Sequence, residues 1–192
     1  MHQKELEEFD KIEQFLRETC NSLLKDVRHS VLYEYSSPDW PTPIPALLYC
    51  FSVVNLLSSF CSGSLSPSSE VIYAYFEEFL HYDATQIELL EYIYKYKLFH
   101  PNQSRFLFHK YGMDFYWEWV DNDRSRHLRT QDHLGSGPMV KWFTISILSF
   151  AEDIEASVFQ KDNYLHELFV NPTLKQNAWK VLQQFIDYTS HS

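Results

Sequence analysis

Between Trp40 and Ser69 the chain carries no charged residue, and from Ile44 to Cys61 it is apolar apart from Ser52, Asn55, Ser58 and Ser59. A stretch like that has two physical solutions. It crosses a bilayer, or it forms a helix that neighbouring elements bury inside the protein. The uninterrupted apolar runs are short, Pro43 and Pro45 stand at the front, and neither end carries the Lys/Arg flank that orients a span. The expectation is a central core helix over 46–62, stopped by Gly63, with no membrane partner.

A core helix needs partners, and the rest of the sequence supplies them. Leu6, Phe9, Ile12, Leu16, Cys20, Leu23 and Val27 recur at spacings of three or four, which predicts an amphipathic helix over 4–28. Pro38 to Pro45 reads as a loop. Ser66-Pro67 with Glu70 close behind has the form of a helix start, predicting a third helix over 71–81. A fourth, over 84–99, places Ile87, Leu90, Tyr94 and Leu98 on one face and ends at Pro101. Helical spacing returns over 145–159 and again over 172–188, where Leu174, Ala178, Val181, Leu182 and Phe185 point inward.

Between these helices the period changes. Phe106 and Phe108 alternate with polar neighbours, as do Phe115, Trp117 and Trp119, with turn-forming residues at Asn122-Asp123 and 127–129. The predicted fold is therefore mainly α. It is a bundle of about five to six helices in one domain over 1–192, with a small antiparallel β insertion after the fourth helix, at about 104–134. The charged N-terminus lacks the apolar region of a signal peptide, so a cytoplasmic location is expected. Cys20, Cys50 and Cys61 are widely spaced and sit in apolar helical patterns, which predicts buried free thiols.

Charge narrows the function classes. The formal net charge of −10 argues against a dedicated nucleic-acid binder. Yet from Lys95 to Lys141 eight basic residues stand against five acidic ones, and His100, His109, His127 and His133 fall in the same stretch. Lys97, Arg105, His109, Lys110, Arg124, Arg126, His127 and Arg129 are the candidate RNA-binding or anion-binding residues, with Tyr111, Tyr116, Trp117 and Trp119 available to stack on bases. The competing reading is a strand surface whose Lys and Arg guard its edges. No HxH, HxxxH or HExxH spacing is present, so no metal is expected, and with 4 Gly in all there is no phosphate-cradling loop or dinucleotide fingerprint and no small-molecule cofactor.

The fourth helix ends Glu91-Tyr-Ile-Tyr-Lys95-Tyr-Lys-Leu-Phe-His100-Pro101. Residues five apart on a regular α-helix point about 140° away from each other, so Lys95 and His100 converge only if the helix end unwinds. Residues 10–160 resemble the HEPN superfamily, helical domains found with RNA-targeting and toxin systems. Active members carry Arg, four to six residues, then His near a helix end. The element order is similar, and Tyr94-Lys-Tyr-Lys-Leu-Phe-His100 stands where the family often shows Tyr-Arg-polar-Gly-Leu-x-His. The resemblance implies Lys95 and His100 as the catalytic pair, a homodimer that joins two such pairs in one cleft, and RNA as the partner.

It also implies loss of activity. Lys95 replaces Arg, Tyr96 replaces a small polar residue and Lys97 replaces Gly. Lysine keeps the charge but lacks the bidentate fork that steadies a phosphate, so binding is expected to survive better than cleavage. Arg126 with His133 has a similar spacing but falls in predicted strand and loop. Two functions follow from the sequence. One is a HEPN-like domain that binds RNA or another anion with weak or no nuclease activity; the other is a non-enzymatic interaction module using the aromatic surface at 115–119 and Trp142.

Overall fold

The structure is a computed structural model that describes residues 3–34, 44–98, 107–120, 122–133, 140–160 and 163–190. These residues are mainly helical. In chain order they form α1 (Gln3–Glu34), α2 (Ile44–Ser62), α3 (Ser69–Glu78), α4 (Ala84–Tyr92), a π-helical segment (Ile93–Leu98), β1 (Leu107–Lys110), β2 (Met113–Val120), β3 (Arg129–His133), β4 (Val140–Ser146), α5 (Ile147–Phe159), α6 (Tyr164–Val170) and α7 (Pro172–Ser190). The chain sorts into two compact units, one of residues 1–23, 50–82 and 153–192, the other of 24–49 and 83–152.

The regular elements described in the first unit are all helices. Ile12, Leu16 and Cys20 of α1 are buried at the predicted period, and Phe15 stacks on Phe60 of α2 at 5.7 Å between ring centroids. Ala178, Val181 and Leu182 form the buried stripe of α7. Two hydroxyls are placed by long-range contacts. Tyr75 lies 2.8 Å from the Ser157 hydroxyl, and Tyr82 donates to Asp153 at 2.8 Å.

Helix α2 is, among the described residues, the one helix long and apolar enough to cross a membrane, and 56% of its apolar window is buried inside the protein. Leu47, Cys50, Val53, Val54, Leu57 and Phe60 are each at most 2% exposed. Ser58 and Ser59 donate to the carbonyls of Val54 and Asn55, which lets two hydroxyls sit in an apolar interior without an unpaired donor. Its end is set by Gly63, whose φ of +71° is the left-handed conformation of a helix stop and whose N–H bonds the Ser59 carbonyl at 2.9 Å.

In the second unit the β structure departs from the expectation of a small antiparallel insertion ending near 134. The sheet has four strands in the order β1-β2-β4-β3, and it is mixed. The β1–β2 and β3–β4 pairs are antiparallel, whereas β2 and β4 run parallel from Asp114 opposite Val140 to Val120 opposite Ser146. Its first strand follows the π-helical segment rather than α4 itself, and its last runs on to Ser146. The sequence reading missed β4 because Phe143 to Ser146 are all buried, leaving no alternation to see. Likewise α3 starts at Ser69, behind Ser68 rather than Ser66, and α6 is too short at 7 residues to show a period.

Gly63 also abuts α7. A Cβ at this position would lie 2.8 Å from Asn177 Oδ1, and the Asn177 amide donates to the Cys61 carbonyl at 2.7 Å. Gly63→Ala should therefore cost about 1–3 kcal/mol, from left-handed strain and displacement of Asn177. Chemical denaturation measures it, and an unchanged midpoint would show that Asn177 does not hold this helix end.

Candidate functional site

The stretch that carries the candidate chemistry begins at α4. Asp83 caps this helix with a reciprocal box, its carboxylate accepting from the Gln86 N–H and the Gln86 side chain accepting from the Asp83 N–H, both at 2.9 Å. Ile87, Leu89, Leu90 and Ile93 are buried, and from Ile93 the winding loosens to π. Bonds from i to i+5 carry residues five apart round toward one side of the helix. Lys95 lies in this segment, exposed, with Nζ 2.5 Å from Glu91 Oε1. An exposed i,i+4 pair of this kind contributes only about 0.3–0.5 kcal/mol. His100 and Arg105 lie outside the described residues, as does the Lys97 side chain.

The sheet positions the remaining candidates. Tyr111 and Gly112, with φ of +54° and +71°, form the two-residue turn that joins β1 to β2. One face of the sheet is apolar, with Phe108, Phe115, Trp117, Phe143 and Ile145 buried. The helix α4 segment packs on this face through Tyr92, which stacks on Phe108 at 5.0 Å; Phe108 in turn stacks on Phe115 at 5.3 Å. Lys110 reaches Glu88 of α4 at 3.0 Å, and the Tyr111 hydroxyl donates to the same carboxylate. The hydrogen bond from Tyr111, then that from Lys110, holds the Glu88 carboxyl below its usual value.

The opposite face carries Tyr116 and Trp142, register partners on β2 and β4, stacked at 5.4 Å with ring planes 26° apart. Both are half-buried. Trp117 lies on the other face and is 1% exposed. Its strand neighbour Trp119 lies on that face too, 5.7 Å from it.

Several basic residues of the sheet and its turns lie beside acids. His109 Nδ1 lies 2.9 Å from Asp114, Arg124 3.3 Å from Glu152 and Lys141 3.6 Å from Asp132, and Arg126 pairs with Glu118. Glu118 also accepts from the Thr144 hydroxyl at 2.9 Å. The hydroxyl of Ser125 holds the Asp123 carboxyl below its usual value. His127 is engaged differently, its Nδ1 accepting the Ser146 N–H at 3.1 Å. Arg129 is exposed on the Tyr116–Trp142 face. The partners Glu88 and Glu152 come from helices far along the chain, so no local spacing could have revealed them.

Among the described residues no group of three or more His, Cys, Asp or Glu side chains could hold a metal ion. A separate cleft of about 450 Å³ in the first unit is lined by Cys61, Glu78, Phe79, Glu167, Asn171 and Leu174, a set the sequence reading did not single out. Compared with known protein families, with curated proteins and with solved structures, the chain matches none.

The three cysteines are free. Burial, reinforced by the charge of Glu155, pushes the Cys20 thiol from 9.0 to about 12. Burial, reinforced by Glu78, does the same at Cys61, and burial raises Cys50 further still. None is a nucleophile at neutral pH. Unfolded thiols ionise near 9.0 while these keep their protons, so this part of the stability is intact below pH 9.0 and is lost as pH rises toward 12. Cys20 and Cys50 are buried as predicted, whereas Cys61 is partly exposed where it lines the cleft. At pH 8, a disulfide reagent should modify Cys20 and Cys50 no faster than global unfolding allows; prompt reaction of Cys50 would contradict the burial argument.

Proposed function

We propose that this chain is a non-enzymatic interaction domain, built on a HEPN-like helical framework, that engages a basic protein partner through the Tyr116–Trp142 face of its sheet. The observation that carries the reading is that stacked pair, 5.4 Å apart at the centre of the sheet and half-buried. Such a pair offers a large apolar area already fixed by stacking, so little side-chain entropy is lost on contact. Of the cations near it, Arg126 is matched by Glu118 and Lys141 by Asp132. A partner therefore meets an aromatic centre with a polar, electrically balanced rim, the usual anatomy of a protein interface. The net charge of −10 steers basic partners toward the chain.

The HEPN-like reading draws support from the π winding at Ile93–Leu98, which falls on the motif residues Lys95 and Lys97. The Lys95 ammonium is already engaged by Glu91, and lysine lacks the arginine fork, so this helix end is poorly equipped to cleave a phosphodiester. A second reading keeps the same platform and replaces the protein with single-stranded RNA, its bases stacked on Tyr116 and Trp142. Arg129 favours it, because among the described residues no acid pairs with this cation. Dimerisation, which the resemblance implies, is compatible with either.

A photo-crosslinking residue at exposed Gln131 should capture a protein that one at exposed Gln183 does not. With that protein purified, Tyr116→Ala and Trp142→Ala should each weaken binding by at least about tenfold, with little response to added salt. Binding of an RNA oligonucleotide that Trp142→Ala removes, and that weakens with salt by about 0.7 log units per log unit for each phosphate neutralised, would establish the second reading instead.

A further inference from the structure

The cleft in the first unit lies where helices end. Cys61 is the penultimate residue of α2, Glu78 is the last residue of α3, and Asn171 directly follows α6. A helix C-terminus carries partial negative charge on its last carbonyls, and no basic residue occupies the last turn of any of the three. Leu174, near the start of α7, brings the opposite pole, but there the Asn171 Oδ1 accepts the Thr173 and Leu174 N–H groups at 3.0 and 3.2 Å. Two carboxylates add to the negative field. Glu78 and Glu167 both line the cleft, and among the described residues neither side chain has a hydrogen bond or an ion pair. The charge of Glu78 is felt at the Cys61 thiol, so this carboxylate stands on the cleft side of its helix. No Lys, Arg or His is among the lining residues described. Phe79 and Leu174 supply the apolar wall, and the Phe79 ring is packed against Tyr75 at 5.1 Å and Tyr164 at 5.4 Å.

We propose that this cleft is a binding site for a small organic cation, an ammonium whose charge is met by Glu78 and Glu167 and whose apolar body rests on Phe79 and Leu174. Like charges that face one cleft repel each other, and a bound ammonium removes that repulsion while it gains from both carboxylates. At about 450 Å³ the cleft has the size of a small-molecule site. A metal ion is the poorer occupant. Ca²⁺ takes about six to eight oxygen ligands, and an apolar wall offers it nothing. The same wall takes the carbon skeleton of an amine out of water and sets an aromatic ring beside its charge. An anion of equal shape meets two carboxylates and the negative ends of helices instead. The site uses residues of the first unit alone and does not rest on the reading of the sheet face.

Titration of the full chain with 2-phenylethylammonium, followed through the backbone amide NMR signals of Phe79 and Leu174, tests this. Both signals should shift saturably, and 3-phenylpropionate, an anion of the same shape, should leave them in place. Glu78→Gln and Glu167→Gln keep the side-chain size and break no hydrogen bond, and each should weaken binding of the ammonium by at least about fivefold. Asp26→Asn makes the same change in net charge at an exposed site on α1 and should weaken it by less than about twofold. No saturable shift, equal binding of the anion, a smaller loss in either glutamine variant, or an equal loss in Asp26→Asn overturns the proposal. If a glutamine variant does not fold, the unaltered chain decides. The neutral analogue 2-phenylethanol should then bind at least about fivefold more weakly than the ammonium, and equal binding overturns the site.

Discussion

The parallel pairing of β2 with β4 is the interaction on which the second unit depends. Seven register pairs run from Asp114 opposite Val140 to Val120 opposite Ser146. Parallel neighbours cannot be joined by a tight turn, so the chain must leave β2, travel and return before β4 begins. It uses that excursion to lay β3 on the far side of β4, which makes β4 a central strand buried along its second half. The side-chain period then does the rest. Trp117 and Phe143 meet on the apolar side, while Tyr116 and Trp142 are left together on the other. A slip of one residue would exchange the two sets, placing buried Trp117 outward and setting Glu118 into the apolar layer.

The helical part was legible because burial follows the α period. Ile12, Leu16, Cys20, Leu23 and Val27 on α1, and Ala178, Val181 and Leu182 on α7, are buried where the spacing of apolar residues places them. Three features escaped for identifiable reasons. The β4 strand has no polar alternation in its buried half, and its run into Ile147 looks like the start of a helix. The change from α to π winding at Ile93 alters hydrogen bonding without altering which residues are apolar. The 7 residues of α6 span barely two turns. Each is a case in which pattern and geometry part company.

At the candidate site, the individual residues were visible but their relations were not. Counting charges along the stretch gave a basic excess, yet a linear count cannot see that Glu88 and Glu152 come from helices to meet Lys110 and Arg124. Tyr116 and Trp142 were both recognisable as aromatic surface residues. Their stacking depends on a parallel register between segments separated by a whole strand and its turns. His127 stands among the anion-binding candidates in the sequence, but in the fold its Nδ1 accepts the Ser146 N–H, a partner from a segment that no local spacing links to it.

These pairings bear on what the sheet can recognise. A lone cation on a strand gains from approaching a phosphate, but a cation already beside a carboxylate presents a dipole, and a polyanion that draws near must also face the acid. Arg126 with Glu118 and Lys141 with Asp132 are of this kind. The pairs are individually weak because they are exposed. Each such pair offsets part of the attraction for phosphate that its cation alone would exert, while Arg129 has no acid partner among the described residues. Besides Arg129, the surface is distinguished by the apolar area of the Tyr116–Trp142 stack. The same logic holds at the end of α4, where the Lys95 ammonium is opposed by one carboxylate on its own helix, just before the π-wound segment ends.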